Sequence, residues 1–278
     1  MGISMDRWKG KTAIVIGASS GIGAAIADAL VQHGLMVVAV ARRVEIIAER
    51  AKNLSRKSGK LYAFKADITK EEDVLKIFKW SNENLGPVHI LINSAGKVAV
   101  GTFTKGKTED WKSVFDVNVL GLCTATREAV KIMKENKING HIIHVNSVLG
   151  HQVPNALGLN IYPASKHSVT ALAETLRFEL NTFGLKIKVT SISPGFVETE
   201  MTTLNKDLPP ARKALFESIP SLKSEDIADG VIYVLSTSEH VEVSFRSKIS
   251  VRGDSFLDSR IDHKAPWRKN LNISMVFS

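Results

Sequence analysis

The chain has 278 residues, 44% hydrophobic and 23% charged, with a formal net charge of +9, enough chain for a sizeable core and an ordinary globular balance. Its lysines and arginines are scattered among acidic residues, so the charge reads as a solvated surface with one anion site, and no nucleic-acid partner is expected. The single cysteine, Cys123, excludes an internal disulfide and a cysteine-rich zinc site; no metal is expected, and a cytoplasmic location fits best.

The start, Met1 to Lys9, lacks the apolar core of a signal peptide, and no run reaches the ~18 apolar residues of a membrane helix, so no membrane span is expected. Gly2 raises myristoylation, but Asp6 stands where that motif takes Ser or Thr. The first strand, Thr12 to Ile16, runs into Gly17-Ala18-Ser19-Ser20-Gly21-Ile22-Gly23, followed by a helix over Ile22 to His33. Three glycines between strand and helix permit a tight turn, close approach of backbone amides to a pyrophosphate, and close helix packing. The helix amino terminus adds a dipole that favours the anion. Gly17, Ser19, Ser20, Gly21, Ile22 and Gly23 are therefore candidates for holding a dinucleotide.

The second strand, Leu35 to Ala41, ends at Arg42-Arg43, where NAD-selective proteins present an acid to the ribose hydroxyls. An arginine fork matches a 2′-phosphate, so the expected cofactor is NADP(H). The alternative is that both arginines are the solvated start of the next helix, Glu45 to Lys57. A third strand, Leu61 to Lys65, leads to Asp67-Ile68-Thr69, which could cap the following helix, Glu71 to Asn84. A fourth strand, Val88 to Ile92, precedes a helix over Trp111 to Asn136, where Asn118 is a poor helix residue that could cross-link strands.

The run His141 to Asn146 reads as a buried strand ending at Ser147, which places a hydroxyl at the crevice of an open sheet. The helix Ile161 to Phe183 then carries Tyr162 and Lys166, one turn apart on one face. A free phenol ionises near pH ~10, so proton transfer near neutrality needs roughly 4 kcal/mol in favour of the phenolate. An ammonium ~4 Å away across an effective dielectric of ~20 supplies about that much, and a positively charged nicotinamide ring would add to it. Such pairs also occur on solvated helix faces; Ser147 is what sets this one apart.

A strand over Lys186 to Ile192, a helix over Ser224 to Leu235 and an alternating strand Phe245 to Arg252 complete the pattern. Near-continuous apolar strands separated by helices predict an α/β fold: a Rossmann-type doubly wound parallel sheet with helices on both faces, in a single domain over residues 7–253. Residues 254–278 show no period and are expected to form a flexible tail. Two loops, Val148 to Ile161 and Glu200 to Leu215, offer Leu149, Val153, Ala156, Leu157, Leu159, Met201, Leu204, Leu208 and Leu215 as an apolar pocket for a lipophilic alcohol or carbonyl, unless half of these are core residues under a long loop.

With these motifs in place the chain resembles the short-chain dehydrogenase/reductase family over roughly residues 7–240, and within it the farnesol dehydrogenase-like members. The resemblance implies an adenine contact for Asp67 and Ile68 and a cofactor turn at Asn93, Ala95 and Gly96. It also implies a catalytic set of Asn118, Ser147, Tyr162 and Lys166, and a nicotinamide site at Pro194, Gly195, Val197 and Thr199. It further implies hydride transfer with Tyr162 as acid or base, Lys166 lowering its pKa and binding the nicotinamide ribose, and Asn118 holding a water for proton exchange. A homo-oligomer, dimer or tetramer, is also implied. Ile16 stands where the family places a threonine and Ser94 where it often has a second Asn, which would loosen the Asn93 turn. A catalytically weak NADP(H)-binding sensor or partner-binding protein on the same fold is the competing expectation.

Overall fold

Seven parallel strands in the order β3-β2-β1-β4-β5-β6-β7 form the centre of the computed structural model, which describes residues 3–154, 158–203, 221–241, 243 and 247–249. They are β1 Thr12–Ile16, β2 Met36–Ala41, β3 Lys60–Lys65, β4 Val88–Asn93, β5 His141–Val145, β6 Lys188–Pro194 and β7 Ser247–Ile249. Every residue of β1, β5 and β6 is buried, as expected of parallel strands covered on both faces.

The pleat sends alternate residues of one strand to opposite sides. Ala13 and Val15 join one apolar cluster with Ile26, Leu30, Ile47 and Val231; Ile14 and Ile16 join the other with Val74, Phe78, Ala129 and Met133. The first cluster is closed by α1 Gly21–Gln32, α2 Val44–Asn53 and the C-terminal helix Ser224–Ser236; the second by α3 Glu71–Leu85, α5 Leu122–Glu135 and α6 Tyr162–Thr182. Three acids, Glu71, Glu72 and Asp73, open α3, where the helix dipole favours them. Of the expected last strand Phe245 to Arg252, the described part is β7, and the expected tail 254–278 lies outside the described residues.

Strand order reverses between β1 and β4, whose ends meet at the pair Ile16 and Asn93. The crevice beyond the strands' carboxyl ends at such a switch point is where open α/β sheets take their ligands. The helix expected over Trp111 to Asn136 is α4 Thr108–Phe115 and α5, joined by a π-helical turn over Asp116–Gly121 that contains Asn118. Single π turns inside helices often mark functional positions. Here Gly121 allows the close approach, because a Cβ there would lie 2.6 Å from Ile68 Cγ1.

Candidate active site

The crevice is a cavity of about 850 Å³ running from the loop after β1 to the start of α6. At one end Gly17 adopts φ +86°, and a Cβ on it would sit 2.5 Å from the Ala95 nitrogen. A Cβ on Gly23 would collide with the Gly17 carbonyl oxygen. The two glycines therefore let the β1–α1 turn, the start of α1 and the β4 turn share one small space, with the α1 amino terminus at the cavity wall. Main-chain bonds hold this turn: Ser94 N donates to Ile16 O at 3.0 Å and Gly17 N to Val40 O at 2.9 Å.

Of the expected cofactor residues, Gly17, Ser19, Ser20, Gly21, Ile22, Gly23, Arg42, Arg43, Asp67, Ile68, Ala95, Gly96, Tyr162, Lys166 and Thr199 line this one cavity. Asp67 does not cap α3, whose N-cap is Lys70; its Oδ1 accepts from Thr69 N at 3.0 Å and Thr69 Oγ1 at 2.8 Å. Burial works against its ionisation, but those bonds and the nearby Arg42 and Lys70 hold the carboxyl below its ordinary range. Asn93 is turned away from the cavity, donating to Thr126 Oγ1 and pairing with His144 Nδ1, each at 3.1 Å. Pro194, Gly195 and Val197 are not in the wall either. Pro194 ends β6, and Val197 is buried in a bridge to Leu222.

At the other end, Tyr162 begins α6 with Pro163 next to it, a favourable first-turn residue. Its hydroxyl faces Ser147, which favours the ionised phenol and whose Oγ accepts from Leu149 N at 3.1 Å. Lys166 is buried, donates from Nζ to Val145 O at 3.0 Å, and lies 5.8 Å from the centroid of the Tyr162 ring. Burial is the largest influence on the ionisation of both groups. Burial pushes Tyr162 up to about 12, with the Ser147 bond opposing it, and burial pushes Lys166 down to about 8. Desolvation disfavours each charged form, and the amine is turned to a backbone carbonyl.

The Asn118 side chain is engaged on both its polar atoms. Its Nδ2 donates to Lys97 O and Ser165 Oγ, each at 2.9 Å, and its Oδ1 accepts from Lys97 N at 2.8 Å. The side chain thus fastens the turn after Gly96 to α6, the helix that presents Tyr162 and Lys166.

Several wall residues were not singled out from the sequence. Asn146 lines the cavity and donates to Thr170 Oγ1 at 2.9 Å, which in turn donates to Gly150 O at 2.9 Å, pinning the Ser147 loop to α6. Its place just before a strand-end serine was the available signal. Lys97, Ser113 and Asp116 also line the cavity, and no spacing rule connects them. Among the expected apolar pocket residues Met201 is in the wall, while Val153 is 67% exposed and Leu149 and Leu159 lie off the wall. Ala156, Leu157, Leu204, Leu208 and Leu215 lie outside the described residues.

The residues fit a bound dinucleotide: a glycine cradle that any Cβ would fill, a helix amino terminus, and arginines at the β2 end. Comparison with known proteins agrees. The short chain dehydrogenase family profile matches residues 11–208. Farnesol dehydrogenase of Aedes aegypti is 46% identical over 244 residues, covering 86% of this chain and 95% of that protein. The human dehydrogenase/reductase SDR family member 11 is 44% identical over 243 residues, covering 86% and 94%. Among solved structures, a short-chain type dehydrogenase/reductase from Mycobacterium marinum superposes with a TM-score of 0.80 at 26% identity, covering 89% of this chain and 97% of that one. A Burkholderia phymatum short chain dehydrogenase/reductase in complex with NAD gives 0.74 at 27%, covering 82% and 86%. Sequence, fold and site geometry together place this chain in the short-chain dehydrogenase/reductase family of oxidoreductases.

Proposed function

We propose that the protein is an NADP(H)-dependent oxidoreductase that moves hydride between a lipophilic alcohol and its carbonyl, with Tyr162 as general acid or base. The observation that carries this reading is the half-buried Tyr162, beside Ser147 and one helical turn from a buried Lys166, at the far end of a cavity that begins at the glycine loop. When bound, the nicotinamide supplies or accepts the hydride. In reduction, the neutral Tyr162 phenol gives its proton to the oxygen that becomes the alcohol. Ser147 polarises the same oxygen by donating a hydrogen bond, and after transfer the Ser147 hydroxyl and the Lys166 ammonium stabilise the phenolate. In oxidation the roles reverse, and the Tyr162 phenolate, formed beside the Lys166 ammonium, takes the proton.

Choice of the 2′-phosphorylated cofactor is supported by Arg42, exposed at the end of β2 and in the cavity wall, at a place with no acid. Met201 and the half-exposed Val100 give the wall apolar surface, and the farnesol dehydrogenase of Aedes aegypti supports an isoprenoid alcohol as the candidate substrate. A cytoplasmic location fits the lone, half-buried Cys123. The test follows NADPH absorbance with isoprenoid, steroid and aromatic carbonyls. Tyr162→Phe is expected to cost roughly 100- to 10,000-fold in turnover while NADPH affinity is kept. Unchanged turnover in that variant would overturn the assignment of Tyr162.

A further inference from the structure

On the wall of the same cavity three segments distant in sequence converge on one guanidinium. Arg43 Nη2 donates to Glu200 Oε2 at 2.6 Å and lies 3.1 Å from Ser20 Oγ and 3.3 Å from Ser19 Oγ. Ser20 Oγ donates to the same Glu200 oxygen at 3.0 Å. Arg43 immediately precedes α2, the serines belong to the β1–α1 loop, and Glu200 opens the short helix Glu200–Thr203, next to Thr199. The neighbouring Arg42 has different company: its charge helps hold the Asp67 carboxyl low. The two arginines that the sequence offers as one fork are therefore divided, one beside Asp67 and one drawn over the phosphate loop.

A carboxylate in a cleft shaped for a polyanion is unfavourable unless a cation accompanies it. Arg43 and Ser20 do this, and their bonds hold Glu200 below the usual carboxylate range. Both partners are 48% exposed, so the pair is weak and salt-sensitive. A phosphate dianion offers a guanidinium stronger bidentate contacts than one carboxylate oxygen does. Glu200 and a 2′-phosphate would thus compete for one side chain.

We infer that Glu200 is a specificity-determining residue for the dinucleotide: it holds Arg43 over the phosphate loop, withholds that cation from a 2′-phosphate, and so narrows the preference for NADPH over NADH. The inference rests on the dinucleotide reading of the cleft. Its test is the ratio of the NADH and NADPH dissociation constants, measured by calorimetry on the full chain, on Glu200→Gln, on Arg43→Ala and on the double variant.

Glu200→Gln is expected to raise that ratio roughly fivefold, as loss of a weak exposed pair allows, through tighter NADPH. In the Arg43→Ala background the same change should leave the ratio where it was, because the coupling runs through that guanidinium. Equal tightening of both nucleotides would overturn the inference, leaving only general charge relief at the pyrophosphate, and so would an equal rise in the ratio without Arg43. A wild-type protein that prefers NADH, yet shows the Arg43-dependent rise, would sink the NADP(H) reading and leave this inference standing. Binding of neither nucleotide by any variant would overturn both.

Discussion

A phenol held up at about 12 beside an amine held down at about 8 starts as a neutral acid next to a cation at any pH below the lysine's value. That pairing keeps a proton in place for the step that carbonyl reduction needs, and it defers the cost of making phenolate until hydride transfer has made the substrate oxygen basic enough to take the proton. The lysine's leverage is then on the product of the transfer, the phenolate, and less on its resting ionisation. Charge also decides the cofactor end. Arg42 stands in the cavity wall, and hydrogen bonds to charged groups contribute about 1.5–3 kcal/mol, so Arg42→Ala should weaken NADPH roughly 10- to 100-fold. NADH lacks the 2′-phosphate and should lose far less. Equal losses in a titration of both nucleotides would show that Arg42 does not read that phosphate.

Elements were the most legible scale. The strand read as Thr12 to Ile16 has those bounds in the structure, because a β-branched run bounded by a glycine turn leaves little freedom. The helix read as Ile22 to His33 is Gly21–Gln32. Between Trp111 and Asn136 the apolar period suggested one helix, and the π turn at Asp116–Gly121 was not visible, since one extra residue hardly disturbs a pattern averaged over seven turns. Its traces were Asn118 and Gly121, residues a helix interior does not favour. Packing at the other close approach gives a prediction. A methyl at Gly23 must displace the Gly17 carbonyl, and overpacking of this kind costs about 1–3 kcal/mol. Gly23→Ala should therefore lower the melting temperature by roughly 2–10 °C and weaken dinucleotide binding with it, because α1 must move off the loop. A variant with unchanged melting and affinity would show that the loop yields more easily than its geometry implies.

For the whole molecule, what the sequence conceals is contact between distant segments. The glycine loop and the Tyr162 helix are local motifs and could be read directly, whereas Arg43 meets Glu200 across 157 positions only because the strands are ordered as they are. The same closure buries two histidines in β5, which the sequence presented merely as part of an apolar run. His141 pairs through Nε2 with Thr190 Oγ1 at 2.9 Å and His144 with Asn93 at 3.1 Å. Burial lowers His144 from 6.5 to about 3, with the charges of Arg177 and Lys166 adding to it. Burial takes His141 well below 6.5, with help from Lys188 and Arg7. Both pKa values are depressed on folding, so their contribution is fully present above about 6.5 and is lost as pH falls toward the folded values, where the unfolded chain binds two protons that the native state refuses. Well below 6.5 the two sites together remove roughly 2.7 kcal/mol of stability per pH unit, which would consume a typical reserve of about 5–15 kcal/mol within a few units. Urea unfolding at successive pH values should show that slope opening below about 6, and replacing both histidines with Gln should flatten it even if the variant is less stable at neutrality. A slope that persists without the histidines would assign the acid sensitivity to the carboxylates instead.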